Sequence, residues 1–518
     1  MSFKEYEQNQ LMIPMSWESL IDEKHVARVV NEVIDKMNLD SLLQTYSNEG
    51  CSAYSPRMLL KILMYGYVTK NYSSRLMAKA VKENIYFIWL AGGNHPTRNV
   101  INSFRGQKMQ IVIEEVFSEM LLILADRGYI DLAEYFQDGT KIEANANKYT
   151  FVWRGTVEKN REKLLAKTHA LMQEINKLND NEDIIFPEVE KIEPKDITPA
   201  QMQDFAERLS EKLNKDTTPQ EEKTINKNIK DINEKKEKLE KYNESLEIMG
   251  EGRNSYSKTD HDATFMRMKE DAMLNGQLKP GYNAQIASNN GFIVGSYVSQ
   301  DRTDFSTLIP TIERTEKLNN KKVKKVCADS GYGNLENYEY LAKNKKKNFV
   351  KYTYFHLEQK RSFKKKIFNI ANMTYDKKSD EFTCPNNKKL KYLFTKKDKT
   401  DNGYLQKIRV YECEDCSNCQ YKNQCTKSKG NRRISFNKKL SKYKDKAKSN
   451  LLSKQGLHMR SQRPEQVERP FAQIKWNKGF KRFLLRGLKK VDTEWAIICM
   501  AFNIEKLFKK DISKMATT

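Results

Sequence analysis

The chain has no run of about 18 consecutive apolar residues, so the sequence offers no transmembrane helix. Its first residues, Met1-Ser2-Phe3-Lys4-Glu5-Tyr6, lack the apolar core that a secretory signal carries. A cytoplasmic protein, with no membrane partner, is the expectation. In that reducing compartment eight cysteines do not build a disulfide framework; they are core thiols or metal ligands. Acidic side chains are also scarce relative to basic ones. The 68 Asp and Glu face 92 Lys and Arg, leaving a formal net charge of +24. Such a chain suits a polyanion, and in the cytoplasm the first candidate is the DNA of the nucleoid.

Length and local charge sharpen this. A chain of 518 residues has room for roughly two to four domains. The positive charge is bunched: Lys321, Lys322, Lys324 and Lys325; then Lys343 with Lys345–Lys347; then Lys360, Arg361 and Lys364–Lys366. Any one run reads equally as a solvated surface. Three runs near the acidic residues described next favour a phosphate-binding surface.

Residues 1–125 read as an all-α region. Apolar residues recur at helical spacing in Val26, Val29, Val30, Val33, Ile34 and Met37, and again in Met58, Leu59, Leu60, Ile62, Leu63 and Tyr65. Ser73 begins a further capped helix. Short helices joined by polar turns fit a helix-turn-helix DNA reader or a plain bundle. Residues 135–144 read as a strand, with Phe136, Asp138, Thr140 and Ile142 on one face. Strands resume at 282–287 and 292–298, joined by the turn formers Asn290-Gly291. A helix near 305–318 and a strand at 324–329 follow.

That order is the order of a ribonuclease H-like α/β fold, expected here over 126–155 and 251–350. Parallel pairing of its first and fourth strands would bring Asp138 and Asp329 to one sheet edge. Between them lies an insertion, 156–250. Thr198-Pro199-Ala200-Gln201 and Thr218-Pro219-Gln220-Glu221 are capping boxes with Pro at the first helical position. Leu164, Thr168, Leu171, Ile175 and Leu178 have near-heptad spacing, as do Ile225, Ile229, Ile232, Leu239, Tyr242 and Leu246. The expectation is an antiparallel coiled-coil arm, with loops at 180–197 and 214–218.

The residues that carry chemistry are three carboxylates. Asp138 stands in Tyr135-Phe136-Gln137-Asp138-Gly139-Thr140-Lys141, and Asp329 in Val326-Cys327-Ala328-Asp329-Ser330-Gly331-Tyr332-Gly333. Glu468 stands in Val467-Glu468-Arg469-Pro470-Phe471-Ala472-Gln473-Ile474-Lys475, in the helical C-terminal part, 455–518. Asp-Gly alone is usually a turn. An acidic residue ending an apolar strand is more informative, because an unpaired buried charge costs several kcal/mol. Two such strand ends plus a helical Glu make an oxygen-only donor set suited to a pair of Mg²⁺ or Mn²⁺ ions. Lys475, seven residues after Glu468, shares its helix face, and Arg463 lies five residues before it. Pro470 must start or kink that helix. Glu465 is a rival third carboxylate.

Cys413, Cys416, Cys419 and Cys425 fall within a cysteine-rich segment, 375–430. Their density points to one tetrahedral Zn²⁺, with Cys384 a possible substitute ligand, an iron–sulfur cluster a second option and unligated thiols a third. Cys51, Cys327 and Cys499 read as core thiols. Trp153 could stack on an unpaired base or fill a core. The acidic stretch Ser257–Asp262 reads as a polar loop.

The motifs together resemble the DDE transposases of bacterial insertion sequences, in the group with a transposase DDE domain and an InsH-like N-terminal domain. The likeness is carried by Asp138 through Trp153, Ala328 through Gly333, Glu468 through Lys475, and Phe483-Leu484-Leu485-Arg486-Gly487. Ile13-Pro14, Tyr54-Ser55-Pro56 and Asn102-Ser103-Phe104-Arg105 also fit. Family members usually have Gly where Ala472 stands. In the related signature Ser461 and Pro464 occupy the Tyr and Arg positions, while Glu468 and Lys475 match. The resemblance implies binding of terminal inverted repeats and target DNA by a homodimer. It implies cleavage and strand transfer, with two Mg²⁺ or Mn²⁺ held by Asp138, Asp329 and Glu468. Phosphates would be met by Arg463, Lys475 and Lys141. A metal-dependent nuclease, and a non-catalytic zinc-containing DNA-binding protein, are the competing classes.

Overall fold

The computed structural model describes residues 16–47, 53–178, 187–213, 218–268, 277–400 and 403–515. Cys51 and Ile13-Pro14 lie outside them. The chain forms two compact units, one of residues 1–144 with 282–518 and one of residues 145–281.

In the first unit the N-terminal region is helical because its caps and apolar stripes agree. Ser55 caps Pro56–Val68, with Pro56 in the first turn, and Ser73 caps Ser74–Glu83. Asn84 ends that helix and caps Ile85–Leu90. Val26–Lys36, Pro56–Val68 and Met109–Asp126 pack against the long C-terminal helix Leu488–Met515, as the bundle alternative requires. A buried polar knot joins them. Glu494 accepts from the Tyr67 hydroxyl at 2.9 Å and from the backbone N–H of Leu484 and Leu485 at 2.9 and 3.0 Å. Arg105 donates to Tyr67 at 3.1 Å. Burial pushes the Glu494 carboxyl upward against the pull of Arg105.

The first unit's main sheet consists of β1 (Glu134–Glu143), β2 (Leu278–Asn289), β3 (Phe292–Ser299), β4 (Lys325–Cys327) and β5 (Lys347–Asn348), in the order β3-β2-β1-β4-β5. Its β2 strands contribute from residue 282 onward. Asn290 and Gly291 both take positive φ, 51° and 76°, so the β2–β3 hairpin turns as the sequence expected. β4 pairs in parallel with β1, and β5 in parallel with β4. Leu308–Asn319 and Leu488–Met515 both pack on β3.

Between the second aspartate and the glutamate lies an antiparallel sheet of β6 (Thr374–Asp376), β7 (Glu381–Thr383), β8 (Lys389–Lys399), β9 (Leu405–Cys413) and β10 (Arg433–Phe436), in the order β10-β9-β8-β7-β6. Its core is Met373, Phe382, Leu390, Tyr411, Cys413, Cys416 and Ile434.

The second unit corrects the expected two-helix arm. Arg154–Leu178 and Pro219–Met249 do pack together, but Pro199–Glu211 packs with them as a third helix. Met202, Phe205 and Leu209 fill one cluster with Leu165, Met172, Ile175, Ile232 and Leu239. Both Thr-Pro capping boxes are formed. Single 3₁₀ turns at Pro187–Glu190 and Pro194–Asp196 stand where only loop was expected. Among the described residues no helix is long and apolar enough to cross a membrane.

Glu494→Ala should destabilise the first unit by about 3–5 kcal/mol, because it strands buried Arg105 without its anion. Denaturant unfolding of the full chain measures this, and Glu494→Gln should recover part of the loss.

Candidate active site

The site begins with strand register. Phe136 of β1 is level with Cys327 of β4. Two residues further on, Asp138 lies within β1, which continues to Glu143, and Asp329 lies just past the end of β4, so the register carries both to the same level. Tyr135, Phe136, Gln137, Val326, Cys327 and Ala328 are buried, so the strands are fixed by their core. Burial pushes the Cys327 thiol up to about 11, in keeping with a core thiol. Asp329 caps the turn Ser330–Tyr332, its Oδ1 accepting from Gly331 N–H at 2.8 Å.

Glu468 arrives on a helix that is repeatedly widened. Lys454–Arg463 continues through a π turn, Pro464–Glu468, an α turn, Arg469–Ala472, and a second π turn, Gln473–Asn477. Pro464 and Pro470 offer no N–H, and wide turns let the helix continue past them. Pro470 thus neither starts nor ends it.

One guanidinium links the pieces. Arg463 Nη2 lies 2.8 Å from Asp138 Oδ2, and its Nη1 lies 2.7 Å from Glu468 Oε1. Its side chain is 10% exposed, against 55% for Glu468. Burial lowers the Arg463 pKa, but Asp138, Asp329 and Glu468 outweigh it and hold the group above its usual value. Arg463 Nε is buried with no hydrogen-bond partner among the described residues. Glu465, the rival, is instead paired with Arg469 and lines a separate cavity with Asn290, Gly291 and Lys506.

Lys475 is buried. Its Nζ donates to Thr140 Oγ1 at 2.8 Å and to the Lys141 carbonyl at 3.1 Å, so it ties the helix to the end of β1. Lys141 itself is half-buried. Trp153 belongs to the second unit, where it is half-buried and packs on Phe265 with ring centroids 5.8 Å apart.

Sequence reasoning missed the polar layer behind the aspartates. Gln285 donates to Asp304 Oδ1 at 2.9 Å, and Asn283 donates to the same oxygen at 2.8 Å. Gln285 Oε1 accepts from the Tyr332 hydroxyl at 2.5 Å and from Gln137 at 3.2 Å. Tyr332 titrates far above its usual range, first through burial and then through Asp304, Asp138 and Asp329. Gly139 is required by this layer. A Cβ there would meet Gln285 Nε2 at 2.1 Å and Asp304 Oδ1 at 2.6 Å. No motif announces Asp304; the only hint was Gln137, a polar residue inside an apolar strand.

The oxygen donors match Mg²⁺ or Mn²⁺ in kind. Their arrangement is less direct: among the described residues no group of three or more His, Cys, Asp or Glu is placed to hold a metal, and Glu468 is engaged by Arg463. The zinc expectation finds no support in the thiol geometry either. Cys384, Cys413, Cys416, Cys419 and Cys425 line one small cavity, yet no three form a metal group. Cys413 and Cys416 sit in the apolar core, Arg432 donates to Cys425 Sγ at 2.7 Å, and burial followed by the Cys416 thiol pushes Cys413 up to about 12.

Two family models match the sequence. One, described as a transposase DDE domain, matches residues 383–508; the other, a transposase domain (DUF772), matches residues 15–107. Both support a DDE-type transposase of an insertion element. No curated protein and no solved structure matches. The transposase DDE match takes in Arg463, Glu468 and Lys475 together with most of the cysteine-containing sheet. Asp138 and Asp329 lie outside both matches, so their place rests on register and contacts.

Gly139→Ala should cost about 1–3 kcal/mol by overpacking against Gln285 and Asp304. Gly155→Ala, where a Cβ meets nothing within 4 Å, should be tolerated. Paired thermal melts of the two variants check both.

Proposed function

We propose that the protein binds the ends of an insertion element and catalyses DNA cleavage and strand transfer at a site made by Asp138, Asp329 and Glu468. The observation that carries this is Arg463, which joins Asp138 to Glu468 beside the in-register end of β4. Two sequence-distant carboxylates paired with one cation, and a third within its electrostatic reach, are not needed by a protein that only binds DNA. The strand order β3-β2-β1-β4-β5, with an antiparallel hairpin feeding a parallel pair, supports a ribonuclease H-like core.

Mg²⁺ or Mn²⁺, two per site and held by the three carboxylates, would supply activation of the attacking oxygen and stabilisation of the leaving 3′ oxygen. The chain's own residues do the positioning. Lys475 holds the end of β1 through Thr140 and Lys141, while the Gln285–Asp304 layer abuts Gly139, next to Asp138 on β1, and holds the turn after Asp329 through the Tyr332 hydroxyl. Arg463 presents a planar fork suited to bidentate contact with a phosphate once its carboxylates are otherwise neutralised. Two ends brought together imply two copies of the chain.

The test is cleavage of a labelled duplex bearing the element's terminal repeat, with Mg²⁺ or Mn²⁺. Asp138→Ala, Asp329→Ala and Glu468→Ala should each lose more than the roughly 10–100-fold that removing an outer partner of a metal ligand costs. Duplex binding should persist, and Glu465→Ala should still cleave. Binding without cleavage by the native chain would contradict the proposal, as would cleavage that needs Glu465 and not Glu468.

A further inference from the structure

The sheet between Asp329 and Glu468 projects a two-stranded ribbon whose charge is sorted by face. β7 pairs with β8 only at Lys389 and Leu390, and β10 pairs with β9 only from Arg409 to Glu412. Beyond these points β8 and β9 run on with both edges open, and residues 391–397 are all exposed. The register sets Thr395 opposite Arg409, Lys397 opposite Lys407 and Lys399 opposite Leu405. Side chains alternate across a strand, so these six share one face. That face carries four cations and no carboxylate. The other face sets Lys396 opposite Ile408 and Asp398 opposite Gln406, and its charges cancel.

Two lysines directly opposite one another destabilise a hairpin. Nearer the base of the sheet, charge is compensated: Lys391 pairs with Glu414 at 3.0 Å, Arg433 with Glu412 at 2.8 Å, and Arg409 with Asp380. Lys397, Lys399 and Lys407 make no ion pair among the described residues. The same face borders a groove of about 770 Å³ that Asn437, Lys438 and Lys439 also line. Glu339, the acid in that groove, is already held by Lys439 at 2.7 Å and by the Tyr404 hydroxyl at 3.0 Å. Lysine on an open edge does guard a strand against aggregation. Guarding needs no sorting between faces, whereas a polyanion lying on one side does.

We propose that this face of the β8–β9 ribbon is a docking surface for duplex DNA, with Lys397 and Lys407 on backbone phosphates. The inference rests on the reading of the chain as a transposase that acts on DNA. A two-stranded ribbon also fits the major groove, but amines without an attached acceptor pattern grip phosphates, so the contact adds affinity and orientation rather than sequence choice.

The experiment compares the full native chain, the double variant Lys397→Gln/Lys407→Gln, and Lys396→Gln from the opposite face. Each is titrated with a labelled random-sequence duplex over a range of salt. Melting curves confirm that the exposed substitutions leave the fold intact. Loss of two phosphate contacts should flatten the slope of log K against log salt by about 2 in the double variant, while Lys396→Gln matches the native chain. An unchanged slope in the double variant beside clear native binding overturns this surface alone. So does an equal loss in Lys396→Gln. A native chain that binds no duplex overturns the DNA reading and this surface with it.

Discussion

Two carboxylates brought near each other repel, and in this protein the Arg463 guanidinium is the cation between Asp138 and Glu468. It contacts Asp138 and Glu468 directly and is raised in pKa by Asp329 as well. Removing one partner of a buried ion pair costs about 3–5 kcal/mol, because the other charge is left in low dielectric. The middle of β1 and the late helix are therefore coupled through a single side chain, with Asp329 acting on it at longer range. Glu468 is engaged by Arg463, and among the described residues no three acids form a metal group.

Everything behind that contact serves to deliver it. Parallel in-register pairing brings two aspartates level, which a one-residue slip would undo by turning each to the opposite face. The π turns at Pro464–Glu468 and Gln473–Asn477 let one helix carry Arg463, Glu468 and Lys475 past two prolines. The Gln285–Asp304 layer leaves room only for glycine at 139. Trp495 donates from its indole to the Gln285 carbonyl at 2.9 Å, so the C-terminal helix also fixes this layer.

Much of this was legible in the sequence where local chemistry decides the outcome. Asn290-Gly291, Ser73 and the two Thr-Pro capping boxes each encode their own geometry, and each is found as read. The level placement of Asp138 and Asp329 followed from the order of strands and their apolar runs. What escaped depends on tertiary packing. Phe205 and its neighbours could not be assigned a partner from spacing alone, so a three-helix cluster was read as a two-helix arm. Asp304 lies in no motif and becomes visible only beside Gly139. The cysteine spacing invites a metal, and five cysteines do line one cavity, but among the described residues no three of them form a metal group.

Asp138, Asp329 and Glu468, proposed as one cation site, should bind a divalent ion together. The most direct measurement is Mn²⁺ binding to the full chain, followed by the relaxation enhancement of solvent water protons, with terminal-repeat duplex present. Saturable binding by the native chain is expected, with markedly weaker binding in Asp138→Asn, Asp329→Asn and Glu468→Gln alike. Native-strength binding in all three variants would contradict it.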